Sequence, residues 1–297
     1  MNNMIEGVTH IRGVIGGPKV CIIGALHGNE KVGGIVVEKL MVELSGLELF
    51  GEVYLVIGNP LAYEKGVRFI DEDMNRLFVE GCDLGGGVEV GGEGELLFPQ
   101  EKVVEGRRAG EIAQILKHVD YLLDLHSTIK PSTAFAYCEG DSEHVALAKF
   151  LGVGKIVSPS NNFRPLELVS SADNFVDNNG GIGITFESGW CENIDAASDV
   201  LEGVKKFLQK LKVYDFGFDL DETCQIVEHF RIYDDIVPVS DKFMFSQDFS
   251  GFDFVKSGEI IASDNGEPIE IDIDSFIIFP KKDITANKVA CYLAQKL

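Results

Sequence analysis

The sequence has no apolar run approaching the roughly 18 residues that cross a bilayer, so no membrane-spanning helix is expected. Its first stretch, MNNMIEGVTHIRGVIGG, has no continuous apolar region behind a basic one, which argues against a secretory signal and makes the cytoplasm the expected location. The cysteines Cys21, Cys82, Cys138, Cys191, Cys224 and Cys291 never fall in CxxC spacing, and several sit inside apolar segments where a thiol acts as a small hydrophobe. Neither a disulfide framework nor an all-cysteine zinc site is expected. Basic charge is scarce: 26 Lys and Arg against 48 Asp and Glu leave a formal charge of −22. Such a surface repels phosphate backbones and anionic membranes, so neither nucleic acid nor membrane is an expected partner. An anionic small substrate meets the same repulsion unless local cations or a metal reverse the sign. The glycine-rich, acidic segment GCDLGGGVEVGGEGE (81–95) lacks the Gly-Lys-Ser/Thr of a phosphate-binding loop and reads as a mobile loop.

Apolar patterning supplies the fold. VCIIGA (20–25), VYLVIG (53–58), YLLDLH (121–126), AFAYC (134–138) and GIGITFE (181–187) read as buried strands. Between them lie helical patterns: Val32, Ile35, Val36, Leu40, Met41 and Leu44 despite two glycines; Ala109, Ile112, Ala113 and Leu116; HVALAKFLG; and a long amphipathic stretch from Ala196 to Leu211. This alternation predicts an α/β fold, with a mostly parallel sheet flanked by helices, over residues 1–212. Residues 213–297 change to short alternating segments broken by Asp264-Asn265-Gly266, which predicts a small β-rich C-terminal domain with a hairpin at that turn.

The chemistry-bearing residues gather where these strands end. His27 and Glu30 follow the first strand, but six histidines and 48 acidic residues in 297 produce about one such spacing by chance, so the pair carries nothing alone. Position adds weight, because ligands collect at the carboxyl ends of strands in open α/β sheets. YLLDLHST delivers His126 in the same way, and two histidines with a carboxylate form a zinc site with a position left open for water. Asp124, on the same side of its strand, either orients His126 or is simply a buried carboxylate. Glu187, ending a third strand, suits a general base. In RFIDEDMNRLF (68–78), Arg68, Asn75 and Arg76 offer planar donors for a carboxylate or an oxyanion, and Asp71 and Asp73 are placed to hold the arginines. Taken singly, each residue keeps an ordinary alternative: a histidine bonded at a helix start, a glutamate facing water, a solvated turn. His10, His118, His144 and His229 lack the strand-end context and read as structural or exposed.

Together, GALHGNE, GNPLAYEKGVRFIDEDMNRLF, EGRRAGEIAQIL, DLHST and ITFESG resemble, in order, the succinylglutamate desuccinylase and aspartoacylase family of zinc amidohydrolases, related in fold to the zinc carboxypeptidases. The resemblance covers most of residues 18–212 and implies one zinc ion per chain, held by His27, Glu30 and His126. It implies Glu187 as the catalytic glutamate, Arg68 as the residue that polarises the scissile carbonyl, and Asn75 with Arg76 as the grip on a substrate α-carboxylate. The implied fold is a zinc-carboxypeptidase-like mixed sheet, with the C-terminal domain shaping the site entrance. The implied partner is a small anionic N-acyl amino acid. One departure stands out: the segment before Glu187, SSADNFVDNNGG, lacks the arginine by which aspartoacylases read a second carboxylate. Arg164 is the nearest, and Tyr292 is the candidate for a family tyrosine from the C-terminal domain. The competing expectations are a zinc carboxypeptidase or broader amidase or esterase, and a non-catalytic zinc-binding interaction module. The acyl group, the amino acid and the oligomeric state, a homo-oligomer included, stay open.

Overall fold

The structure is a computed structural model that describes residues 5–79, 103–165, 168–220 and 227–297. The glycine-rich segment 81–95, Cys82 and Cys224 lie outside the described residues.

The chain opens with β1 (Val8–Arg12), β2 (Ile15–Gly24), α1 (Lys31–Glu43), β3 (Phe50–Ile57) and α2 (Pro60–Lys65). It continues through α3 (Val104–Leu116), β4 (Tyr121–Thr128), β5 (Phe135–Tyr137), α4 (Ser142–Ala148), β6 (Lys155–Pro159), α5 (Ala172–Asn178), β7 (Ile182–Trp190) and α6 (Ala197–Lys210). The last part adds β8 (Glu228–Ile236), β9 (Met244–Phe245), β10 (Phe254–Val255), β11 (Ile260–Asp264), β12 (Glu267–Glu270), β13 (Ser275–Ile278) and β14 (Cys291–Lys296).

An 11-stranded mixed sheet runs in the order β1-β3-β2-β4-β7-β5-β6-β8-β14-β13-β10. The strands that carry the site, β3, β2, β4 and β7, are mutually parallel, as their buried, continuously apolar sequences require. Period-2 alternation divides them between two layers. Val20 and Ile22 of β2 face a core built with α1 and α6, whereas Cys21 and Ile23 face one built with α3 and α5.

Two features differ from the sequence expectation. β5 runs antiparallel to β7, although the alternation of strands and helices suggested a parallel neighbour. From β8 onward, β8, β14, β13 and β10 extend the same large sheet, while β9, β11 and β12 make a separate three-stranded sheet. β11 and β12 form the expected hairpin, with Asn265 and Gly266 both at positive φ (51° and 89°).

The glycine in α1 that weakens the helical pattern has a packing cause. A Cβ built on Gly33 falls 2.6 Å from the Leu125 carbonyl oxygen, and one built on Gly24 falls 2.2 Å from the Gly33 oxygen. α1 therefore lies directly on β2 and β4 at the level of the site. Gly24→Ala is expected to lower stability by about 3 kcal/mol through forced backbone separation. Gly154→Ala, where a Cβ meets nothing within 4 Å, is expected to change it by less than about 0.5 kcal/mol. Urea denaturation of the three proteins checks both values.

Candidate active site

β2 stops at Gly24, and the chain turns through Ala25, held at φ 54°, to present His27. Gly28 lets this turn sit against the start of α2, since a Cβ there would lie 2.0 Å from the Ala62 carbonyl carbon. It serves close approach rather than an unusual dihedral. Glu30 occupies the N-cap position of α1, yet its side chain makes no capping bond. Its carboxylate turns inward instead. There, Oε1 lies 2.8 Å from His27 Nδ1 and Oε2 lies 3.0 Å from His126 Nδ1. The Ser127 backbone N–H donates to Oε2 at 2.9 Å, and Arg68 Nη1 donates to Oε1 at 3.0 Å. His27, Glu30 and His126 are all buried, and their potential ligand atoms lie within 4.8 Å of one another.

Both imidazoles are backed by carboxylates on their other nitrogen. His27 Nε2 is 2.8 Å from Asp73 Oδ1, and His126 Nε2 is 2.9 Å from Asp124 Oδ2. Of the two sequence readings of Asp124, the structure selects the one in which it orients His126. Asp73 also takes Arg68 Nη2 at 3.2 Å and lies 4.0 Å from Arg76. Asp71 departs from expectation: it accepts the Val104 N–H at 2.9 Å, at the start of α3, and pairs with no arginine among the described residues.

The electrostatics follow from this crowding. Burial alone would raise the Glu30 pKa, but His27 and His126 outweigh it and hold the carboxyl well below its ordinary value. Burial would lower the His126 pKa, but Asp124 and Glu30 reverse it and keep the ring protonated far above its usual range. Two Nδ1 atoms and one carboxylate converging in a buried, electron-rich pocket suit a divalent cation of the zinc type: its charge answers the acids now answered by a proton and Arg68.

Glu187 stands beside His126 on the neighbouring parallel strand, in direct register. Burial pushes its carboxyl up to about 8, against the pull of His126 and Lys281. Its Oε2 is buried with no hydrogen-bond partner among the described residues. A cavity of about 90 Å³ adjoins these groups, and Arg68, Asn75, Arg76, Glu187 and Tyr292 all line it. Asn75 is fixed by the Ala172 N–H, 3.0 Å from its Oδ1, and Arg76 Nη1 donates to the Asn75 carbonyl at 3.0 Å. Arg164 lies outside this lining and pairs with Glu139 at 2.8 Å. His27, Glu30, His126, Glu187, Arg68, Asn75 and Arg76 therefore all line one cavity, whereas Asp71, Asp73, Asp124 and Arg164 do not.

The sequence reading missed Glu105. Fully buried in the first turn of α3, it accepts the N–H of Ile70 at 2.6 Å, of Asp71 at 3.0 Å and of Glu72 at 3.3 Å, and the Asn59 amide at 2.9 Å. It thereby holds the loop that carries Arg68, Asp73, Asn75 and Arg76. The signal was present: Glu105, Ala109 and Ile112 share one helical face, which places a charge on the buried side.

Comparison with known proteins adds an independent line. Residues 16–214 match the succinylglutamate desuccinylase/aspartoacylase catalytic domain. A probable aspartoacylase of Nostoc sp. is 33% identical over 117 residues, 37% of this chain and 35% of that protein. An N-acyl-aromatic-L-amino acid amidohydrolase (carboxylate-forming) of Xenopus tropicalis is 30% identical over 148 residues, 48% of this chain and 44% of that protein. The chain thus spans less than half the length of these curated relatives. Among solved structures, the succinylglutamate desuccinylase of Vibrio cholerae shares the fold with a TM-score of 0.75 at 17% identity, over 98% of this chain and 85% of that one. That of Chromobacterium violaceum does so with a TM-score of 0.72 at 21% identity, over 98% and 88%.

Glu105 yields a test of the loop's support. Glu105→Ala strands several buried donors and is expected to cost about 3 kcal/mol. Burial acts to raise the Glu105 pKa, and the Ile70 N–H, the Asn59 amide and the Asp71 N–H outweigh it to lower it. Its contribution is therefore complete above the unfolded-state value of about 4.3 and fades as pH falls through the lower folded-state value. Denaturation of wild type and Glu105→Gln should show a stability gap at pH 7 that closes in acid.

Proposed function

Because the chain belongs to the succinylglutamate desuccinylase/aspartoacylase family, we propose that it is a zinc-dependent deacylase, which hydrolyses the amide bond of a small N-acyl amino acid to a carboxylate and a free amino acid. The observation that carries this reading is Glu187: a buried carboxyl with an unpartnered oxygen, next to the His27, Glu30 and His126 cluster and lining the cavity.

In this reading His27, Glu30 and His126 hold one zinc ion, whose chemistry is Lewis acidity toward water and toward the scissile carbonyl. Glu187 takes a proton from the attacking water, and its position in a dry pocket keeps its basicity high enough for that task. As the C–N bond breaks, Glu187 returns that proton to the departing nitrogen, so the amine leaves neutral. Arg68, aligned by Asp73 and Glu30, donates to the oxygen that gains negative charge at the carbonyl carbon. Asn75 and Arg76 bind the α-carboxylate and fix the direction in which the acyl group enters. Asp73 and Asp124 hold the two imidazoles by their Nε2 atoms, which turns both Nδ1 atoms toward Glu30.

We assign the entrance to residues 213–297, acting as a domain beside the catalytic residues 1–212. Gly251, Phe252, Ile278, Phe279, Pro280, Lys281 and Tyr292 enclose the cavity from that side. The enclosure supports a small N-acyl substrate over the extended peptide of a carboxypeptidase. A buried base and an oxyanion donor have no use in a zinc-binding interaction module. A cytoplasmic location belongs to the same reading; among the described residues no helix is long and apolar enough to cross a membrane.

Metal analysis is expected to find one zinc per chain. His126→Ala should lose it, and Glu187→Gln should keep it while losing activity on the order of 10³-fold or more. Hydrolysis of a panel of N-acetyl and N-succinyl amino acids, followed by amine release, checks this reading; full activity in Glu187→Gln overturns it.

A further inference from the structure

The cavity wall contains one more acid, which neither the zinc cluster nor Glu187 uses. Asp173, in α5, lines the cavity with Leu168, Ser171 and Tyr137, and is 4% exposed. Its Oδ1 meets Ser171 Oγ, which also donates to the Leu168 carbonyl. Among the described residues no arginine, lysine or histidine pairs with it. Burial, then the acids Asp177 and Asp124, push its carboxyl up to about 6, against the hydrogen bonds from Ser171 and the Asn174 N–H. A buried carboxyl on the wall of a binding cavity, hydrogen-bonded but with no cationic partner among the described residues, is stabilised by a ligand that brings a positive charge.

The wall beside it is aromatic. Phe279 packs against Phe135, Tyr137 and Tyr292 with ring centroids 5.3, 6.4 and 6.3 Å apart, and all four line the cavity. Phe279 and Phe252, a fifth ring of the lining, sit at φ 51° and 70°. Non-glycine residues rarely adopt that region, so packing holds these rings in place. Aromatic faces around a carboxylate make the surroundings of an organic cation. An acidic substrate side chain would meet Asp173 as a like charge, and a purely apolar one would leave it desolvated and unanswered.

We propose that Asp173, with the aromatic wall of Tyr137 and Phe279, selects a substrate whose side chain ends in an ammonium group, an N-acyl diamino acid. This rests on the deacylase reading and names its substrate class. The long-range field agrees. A chain of charge −22 repels an N-acyl derivative of a neutral or acidic amino acid. An N-acyl diamino acid carries its α-carboxylate and its ammonium together, has no net charge, and presents its cation to the acidic protein.

The test compares kcat/KM of the zinc-loaded protein for Nα-acetyl-ornithine and Nα-acetyl-lysine with that for Nα-acetyl-norleucine, a neutral counterpart, and for N-acetylglutamate. The diamino substrates are expected to lead on the order of 10- to 100-fold, the discrimination of one desolvated charge-assisted contact. Asp173→Asn should collapse that ratio toward one. Calorimetric binding of Nα-acetyl-ornithine and Nα-acetyl-norleucine to the Glu187→Gln protein, with and without Asp173→Asn, reads the same preference without turnover. Equal or faster hydrolysis of the norleucine or glutamate derivative, or a ratio unmoved by Asp173→Asn, overturns the assignment while leaving the deacylase intact. Absence of any hydrolysis by folded, zinc-loaded protein overturns the deacylase reading, and the binding preference then decides for or against Asp173 by itself.

Discussion

The site is organised around one buried carboxylate. Glu30 is shared by His27, His126, Arg68 and the Ser127 N–H, four partners drawn from the turn after β2, from β4 and from the loop after α2. A charge this deep is stable only while its partners stay in place, because removing one leaves the rest uncompensated in a medium of low dielectric. The glycine contacts that bring α1 down onto β2 and β4 serve the same end, since they set the N-terminus of α1, and with it Glu30, at the level of His126. Sheet geometry then does the remaining alignment. His126 and Glu187 are register partners on adjacent parallel strands, so the two side chains are held by backbone hydrogen bonds rather than by flexible loops.

Much of this arrangement was legible from the sequence. The buried strands and most helices follow from apolar periodicity, and the strand-end logic brought His27, His126 and Glu187 together before any coordinates. The direction of β5 was not legible, because three buried residues carry no mark of parallel or antiparallel pairing. Nor was the continuation of the large sheet into β8, β14, β13 and β10: short alternating strands look alike whether they pair among themselves or join an existing edge. Asp71 went to a helix start rather than an arginine because proximity along the chain does not fix which way a side chain turns in a loop. Asp173 was overlooked because no helical pattern marked α5 in the sequence, and Glu105 for a different reason. Glu105 is an acid in a helix that looks amphipathic, and a surface reading absorbs it unless each charge is checked against the buried face.

The two functional ends of the cavity wall are built differently. Both carboxylate oxygens of Glu30 are answered within the protein, which suits a group that must keep its shape through binding and release. Around Asp173 compensation is incomplete and the neighbours are hydrocarbon and aromatic rings, which suits a group whose partner arrives from outside.

The loop bearing Arg68, Asp73, Asn75 and Arg76 has no regular structure beyond one short 3₁₀ turn, Met74–Arg76. Its rigidity is borrowed from Glu105 at the first turn of α3, and Asp71 repays the contact by accepting the Val104 N–H. Loop and helix start are therefore a single cooperative unit, in which neither can open without exposing the other's unsatisfied groups. Loss of the first turn of α3 would therefore unpin the backbone of Ile70, Asp71 and Glu72, the stretch that joins Arg68 to Asp73.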